Sequence, residues 1–211
     1  MRLTRELVRT ALEEPLDLTW AESGAQPAAV VVPVRFDPEP HVVAILRSSA
    51  LREHSGEVAF PGGKAELLDR DLRATAFREL EEEVGVREAE TEDLGRLSPM
   101  PVVTGKYVIH PYVAALAEGV LPFVASAEIA RVLVVPILPW ITGERRISEV
   151  KAPWRGGEAT IPHFDLEGCV LYGASAFMFF ELLTKIARAM GATLPPGVLT
   201  TTHPWGDRYT R

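Results

Sequence analysis

Sulfur is scarce in this chain: 211 residues contain one cysteine, Cys169, and four methionines. A single cysteine excludes an internal disulfide and any multi-cysteine metal site, and a reducing cytoplasmic compartment is the expectation that follows. Long apolar runs are also missing. Residues 28–34 and 132–141 are the most hydrophobic stretches, and both fall well short of the roughly 20 residues a spanning helix needs. The opening MRLTRELVRTALEEP mixes both charges and has no apolar segment, unlike a signal peptide. Positive charge is in deficit, with 22 Lys and Arg against 29 Asp and Glu. A net charge of −7 argues against nucleic acid or an anionic membrane as partner. A phosphate-bearing substrate would need local cationic groups or a metal.

Several motifs are absent as well. The five histidines, His41, His54, His110, His163 and His203, lack zinc-ligand spacing. Gly63-Lys64 is not a phosphate loop, because Val58 stands where a glycine is required and Ala65 where Ser or Thr is. Gly173-Ala174-Ser175-Ala176-Phe177 lacks the second glycine of a nucleophile elbow. Ser175 therefore reads as a helix-start residue.

What is present fits one globular domain over residues 1–211. Its core is expected over about residues 26–190, with an N-terminal helix and a C-terminal tail as elaborations. Residues 4–14 read as a short amphipathic helix ending at Pro15. Residues 28–36, 41–46, 94–97, 107–116 and 163–171 read as strands. Residues 128–134 are open between helix and strand. Residues 71–84 form the clearest helix, with Asp69 or Asp71 to cap its start and Gly85 to stop it. A second strong helix is expected over 174–190, where Phe177 to Phe180 serve the core or a dimer contact, so a homodimer stays open. The tail from Gly191 is expected to be extended or loosely packed, with Trp205 and Tyr209 either exposed or over a cleft. Strands mixed with two principal helices predict an α/β sandwich around a mixed sheet.

The informative segment is Arg78-Glu79-Leu80-Glu81-Glu82-Glu83-Val84-Gly85-Val86. At about 100° per residue, Glu79, Glu82 and Glu83 fall within one arc, while Ala76, Phe77, Leu80 and Val84 fall on another that faces a core. Like charges at i,i+4 destabilise a helix by about 0.2–0.5 kcal/mol per pair, and acids near a helix C-terminus are also unfavourable. Stability does not explain the gathering, whereas a hard divalent cation would reverse the sign of the interaction. Arg78 can pair with a glutamate and hold its carboxylate in place. Upstream, residues 47–64 make a long polar, glycine-rich segment ending Phe60-Pro61-Gly62-Gly63, and such segments are often functional.

These residues resemble the Nudix box, whose core reads Arg-Glu-U-x-Glu-Glu-x-Gly-U with U aliphatic. Arg78, Glu79, Leu80, Glu82, Glu83, Gly85 and Val86 match every position. The first half departs from the pattern: Arg70 stands where a glutamate is asked for, and Gly63 lies one residue farther from Arg78 than usual. One branch shares that departure. Arg47-Ser48-x3-Arg52-x3-Gly56-x3-Phe60-Pro61-Gly62-Gly63 is similar to the signature of the coenzyme A pyrophosphatases. In that branch a loop aspartate follows, a place Asp69 would fill, and then Thr75-Ala76-Phe77-Arg78-Glu79. Two details differ from the branch, namely Val43 to Leu46 ahead of Arg47 and Lys64-Ala65-Glu66 after the glycines.

The resemblance implies a Nudix-type α/β/α sandwich and a cytoplasmic pyrophosphohydrolase. It implies Mg²⁺ or Mn²⁺ held by Glu79, Glu82 and Glu83 with the carbonyl of Gly63. Glu79, Glu82, Glu83 and Arg78 would form the catalytic set. Arg47, Arg52, Phe60, Gly62 and Gly63 would meet the substrate. The general base is Glu82 or Glu128. The expected reaction splits the diphosphate of coenzyme A or a derivative into 3′,5′-ADP and (acyl-)4′-phosphopantetheine. Arg47 and Arg52 suit a phosphate because a planar guanidinium binds it bidentately, and the extra 3′-phosphate of coenzyme A is their expected target. Two other readings stand beside this one: hydrolysis of ADP-ribose or another nucleoside diphosphate derivative, and a Nudix-fold binding module without catalysis.

Overall fold

A computed structural model describes residues 2–21, 24–51, 54–154 and 157–206. The elements, in chain order, begin with helix α1 (Arg5–Leu12) and strands β1 (Gln26–Arg35), β2 (His41–Arg47), β3 (Val58–Ala59) and β4 (Gly62–Lys64). Helix α2 (Leu72–Val84) follows, then β5 (Thr91–Arg96), β6 (Met100–Pro101), β7 (Tyr107–Leu116) and β8 (Ile129–Pro136). The short helix α3 (Leu138–Ile141) leads to β9 (Ser148–Trp154), β10 (Gly157–Leu166), β11 (Cys169–Leu171), α4 (Gly173–Ala189) and β12 (Val198–Leu199).

The larger sheet runs β3-β2-β1-β7-β5, with β8 on β2, β4 on β1 and β6 on β7. Its central pair, β1 and β7, is parallel, while β1–β2, β2–β8 and β5–β7 are antiparallel. The sheet is therefore mixed. The valine-rich β1 has no polar face because both of its faces are covered. Val30, Val32, Val34, Val42, Ala44 and Val113 join Phe179, Leu182, Leu183 and Ile186 of α4, together with Leu3 and Val8 at the N-terminus. The alternate set, Ala29, Val31, Val43, Ile45 and Ala114, packs on Ala76, Phe77, Leu80 and Val84 of α2. Period-two strands between two helical layers give the expected α/β/α arrangement.

The ends of the helices follow their capping residues. The Thr4 hydroxyl accepts from Leu7 N–H at 3.2 Å, and the Asp71 carboxylate accepts from Ala74 N–H at 2.8 Å. Gly85 closes α2 in the left-handed conformation, φ 70°, which a residue without Cβ adopts at little cost.

Several expectations need correction. The open choice at 128–134 resolves as strand from Ile129 onward, because Val132, Val134 and Val135 pair along β2 and β-branched residues favour that position. Residues 163–171 are not one strand: a turn at Glu167-Gly168 divides β10 from β11. The expected strand at 94–97 begins earlier, at Thr91, and carries an irregularity between Asp93 and Gly95. A second sheet, β11-β10-β9-β12, includes β9, which was not anticipated. Its Pro153 interrupts the strand signal but sits in register with Glu158. The tail is extended, one of the two expected forms, where Val198 and Leu199 run parallel to β9. Trp205 is not exposed but buried with Val150, Ala152 and Ile161. Tyr209 lies outside the described residues. Among the described residues, no helix is long and apolar enough to cross a membrane.

Candidate functional site

The acidic end of α2 lies against the start of β1. The glycine pair reaches it by running antiparallel to β1, with Gly63 opposite Ala29 and Gly62 opposite Val30. A Cβ on Gly63 would overlap the Glu79 carboxylate, and one on Gly62 would overlap the backbone of Ala29 and Val30. Both glycines are therefore demanded by close approach, and neither by a left-handed backbone.

The three expected carboxylates do not share one environment. Glu83 is 5% exposed and counts among the buried residues of α2. Its Oε2 accepts from Gly62 N–H at 3.0 Å, and its Oε1 accepts from Arg47 Nη1 at 3.3 Å. Burial pushes its carboxyl up to about 7, with Gly62 and Arg47 opposing the shift and Glu79 and Glu128 adding to it. Glu79 is raised too, again first by burial, with Arg78 opposing. The Glu82 side chain is 57% exposed and meets Arg78. The single-arc reading thus placed Glu83 too far from the core: it lies at the seam between the apolar face and the acidic one.

Arg78 uses nearly every donor it has. Nε and Nη2 bind Asp69 Oδ1 and Oδ2 at 3.1 and 3.2 Å. Nη2 also reaches the Lys64 carbonyl at 3.3 Å, and Nη1 binds Glu79 at 3.0 Å and Glu82 at 3.1 Å. Asp69 further accepts from Thr75 Oγ1 at 2.8 Å and Glu66 N–H at 2.9 Å. The guanidinium beside it holds the Asp69 carboxyl well below the usual carboxylate range, and Asp69 in turn raises Arg78. The acid missing at position 70 is therefore supplied by its neighbour: Asp69 pairs with the arginine while Arg70 meets Asp71 at 3.5 Å. Thr75, fully buried, was named only as part of the motif, and its contact with Asp69 is the contribution that sequence reasoning did not assign. A hydroxyl one helical turn before Arg78 was the available signal.

Arg47 stands where β2 and β8 slip register, between Leu46 and Arg47, and such a bulge re-aims a side chain. Its Nη2 donates to Glu128 Oε2 at 2.9 Å, so Glu128, distant in sequence, joins the cluster. Phe60, expected at the substrate, is instead 2% exposed within the core, where it anchors the glycine loop. Arg52 lies outside the described residues. His54 is exposed and pairs with Glu57 at 2.8 Å.

The donor set consists of carboxylate and carbonyl oxygens, which suit a hard divalent cation. Among the described residues, no three carboxylate, imidazole or thiol groups converge closely enough to hold an ion as they stand. Guanidinium groups bridge the carboxylates instead, Arg78 between Glu79 and Glu82 and Arg47 between Glu83 and Glu128.

Comparison with known proteins matches the NUDIX domain family over residues 25–140. The uncharacterized Nudix hydrolase NudL of Photorhabdus laumondii is 40% identical over 110 residues, 52% of this chain and 58% of that protein. The NudL protein of Yersinia enterocolitica is 33% identical over 135 residues, 64% of this chain and 68% of that one. The chain thus spans little more than half the length of the first of these relatives. A crystal structure of a NUDIX hydrolase from Nitrosomonas europaea superposes with a TM-score of 0.50 at 16% identity, covering 83% of this chain and 78% of that one, a likeness of fold. Since the matched span takes in more than half of the chain, including the glycine loop and all of α2, this protein belongs to the Nudix family.

Proposed function

We propose that the chain is a divalent-cation-dependent pyrophosphohydrolase that cleaves the diphosphate of coenzyme A or a derivative. Nudix hydrolases generally use divalent metal ions and act on nucleoside diphosphate derivatives. The observation that carries the reading is the Glu79–Gly63 contact beside the buried Glu83. Gathering ionisable carboxylates at a buried position costs stability even with Gly62 N–H and two arginines as partners, whereas a bound cation would offset that cost.

In this reading Glu79, Glu82 and Glu83, with the Gly63 carbonyl, hold Mg²⁺ or Mn²⁺. Bound there, the ion would polarise the diphosphate and acidify the attacking water. Arg78 fixes the Glu79 and Glu82 carboxylates from the side, through its grip on Asp69. Gly62 N–H orients Glu83. Glu82 and Glu128 are the two candidates for the general base, each exposed enough to exchange a proton with solvent. Arg47, with Arg52 added from the sequence alone, supplies guanidinium charge for the substrate phosphates. The choice of coenzyme A rests on the motif across residues 47–63.

The test is turnover of coenzyme A, 3′-dephospho-coenzyme A and ADP-ribose, each with Mg²⁺, Mn²⁺ or EDTA. Cation-dependent release of 3′,5′-ADP, faster than ADP-ribose cleavage, is expected. Preference for ADP-ribose would overturn the substrate, and binding without turnover of any diphosphate would overturn the activity.

A further inference from the structure

The two guanidinium groups among the carboxylates are held very differently. Arg78 is clamped along one edge by Asp69 and by the Lys64 carbonyl, so its position does not depend on the glutamates it touches. Among the described residues Arg47 has no such clamp and its buried Nε has no hydrogen-bond partner; its side chain is held by Glu83 at 3.3 Å and Glu128 at 2.9 Å. Those two partners also differ, since the Glu83 side chain is 6% exposed and that of Glu128 is 57% exposed. A buried donor without an acceptor is a cost, so the side chain has something to gain by turning.

We propose that Arg47 is the counter-ion of Glu83 in the cation-free protein, that a divalent cation competes with it for that carboxylate, and that Glu128 retains the guanidinium when Glu83 is given up. The inference rests on the reading above in which Glu83 is a cation ligand. A positive group so close to a ligand oxygen opposes a second cation by Coulomb repulsion. Once turned toward Glu128, the freed Nη1 and Nε face outward from Glu83, available to anionic oxygens of a phosphate. Cation entry and substrate recognition then share one side chain, with Arg47 as the positioning residue.

The experiment measures Mn²⁺ binding to the full chain without substrate, by water-proton relaxation and calorimetry. Arg47→Met is expected to bind Mn²⁺ about tenfold more tightly than wild type, a change of about 1.4 kcal/mol. Arg47→Gln, which keeps hydrogen-bonding capacity but not charge, should tighten binding as well and guards against a folding defect in the first variant. Glu128→Gln should weaken binding in the wild-type background and weaken it much less in the Arg47→Met background, where only the direct charge of Glu128 near Glu83 is lost. Unchanged or weaker Mn²⁺ binding in both Arg47 variants overturns the inference while leaving the site reading intact. A Glu128→Gln effect of the same size with and without Arg47 overturns the handover. Failure of the wild-type chain itself to bind millimolar Mn²⁺ overturns the site reading and this inference together.

Discussion

Asp69 and Arg78 form a two-point pair, carboxylate edge to guanidinium edge, nine positions apart across the start of α2. The geometry leaves only Nη1 of Arg78 to face Glu79 and Glu82. A loop residue therefore sets the direction in which two helix carboxylates point, and the helix cannot do so by itself.

Asp69→Asn keeps the shape but halves the charge-assisted pairing. Turnover is expected to fall by one to two orders of magnitude. Stability should drop by about 1–2 kcal/mol, the value for a charged hydrogen bond discounted for partial exposure. Urea titration and steady-state kinetics check both, and the kinetic loss should appear chiefly in kcat.

Gly63→Ala places a methyl group into the Glu79 carboxylate. Because the clash is with a side chain, the fold should survive with its melting temperature nearly unchanged. Diphosphate cleavage should fall at least tenfold, measured alongside Mn²⁺ binding. Full activity would show that Glu79 has room to move aside.

Glu83→Gln removes a buried charge that burial already disfavours. Turnover is expected to fall at least a hundredfold while thermal stability holds or rises, as differential scanning calorimetry would show. A large loss of stability would mean that the Arg47 pair is structural first.

The histidines set an acid limit. His41 and His163 are buried and held below the ordinary imidazole range by burial. Their folded state favours the neutral ring, and in the unfolded chain they titrate near 6.5. Stability from these groups is complete above that value and declines as pH falls through it toward the lower folded values. Glu83 and Glu79 act in the opposite sense, since burial raises both carboxyls: the cost is greatest where they are ionised, above about 7 for Glu83, and lessens as pH falls. The histidine contribution is therefore read as a difference: His41→Gln with His163→Gln should lose less melting temperature between pH 7.5 and 5.5 than wild type does.

Leu80 is fully buried beneath the acidic face. Leu80→Ala should cost about 2–5 kcal/mol in chemical denaturation, and the cavity lies directly under the residues that carry Glu79 and Glu83.

Much of this was legible beforehand. The run from Arg78 to Val86, the capping of α2 and the both-faces-buried β1 follow from spacing and periodicity alone, because each depends on near neighbours. What was hidden depended on distant partners. Glu83 is buried because β1 and the glycine pair close over it, and no helical projection reports that. Phe60 turns inward because β4 pairs with β1, which periodicity inside the loop does not encode. The second sheet escaped notice because Pro153 and the Glu167-Gly168 turn break its strands into pieces too short to stand out.

The family span stops at Trp140, yet the valines on one face of β1 share a core with residues of α4, which begins at Gly173. The Lys185 ammonium in that helix reaches back to the carbonyls of Glu14 and Pro15 at 3.3 and 3.4 Å, so both ends of the described chain are stitched over the same valines. A version trimmed to the shared boundaries would leave those valines wet, and aggregation on expression is the expected fate of such a fragment.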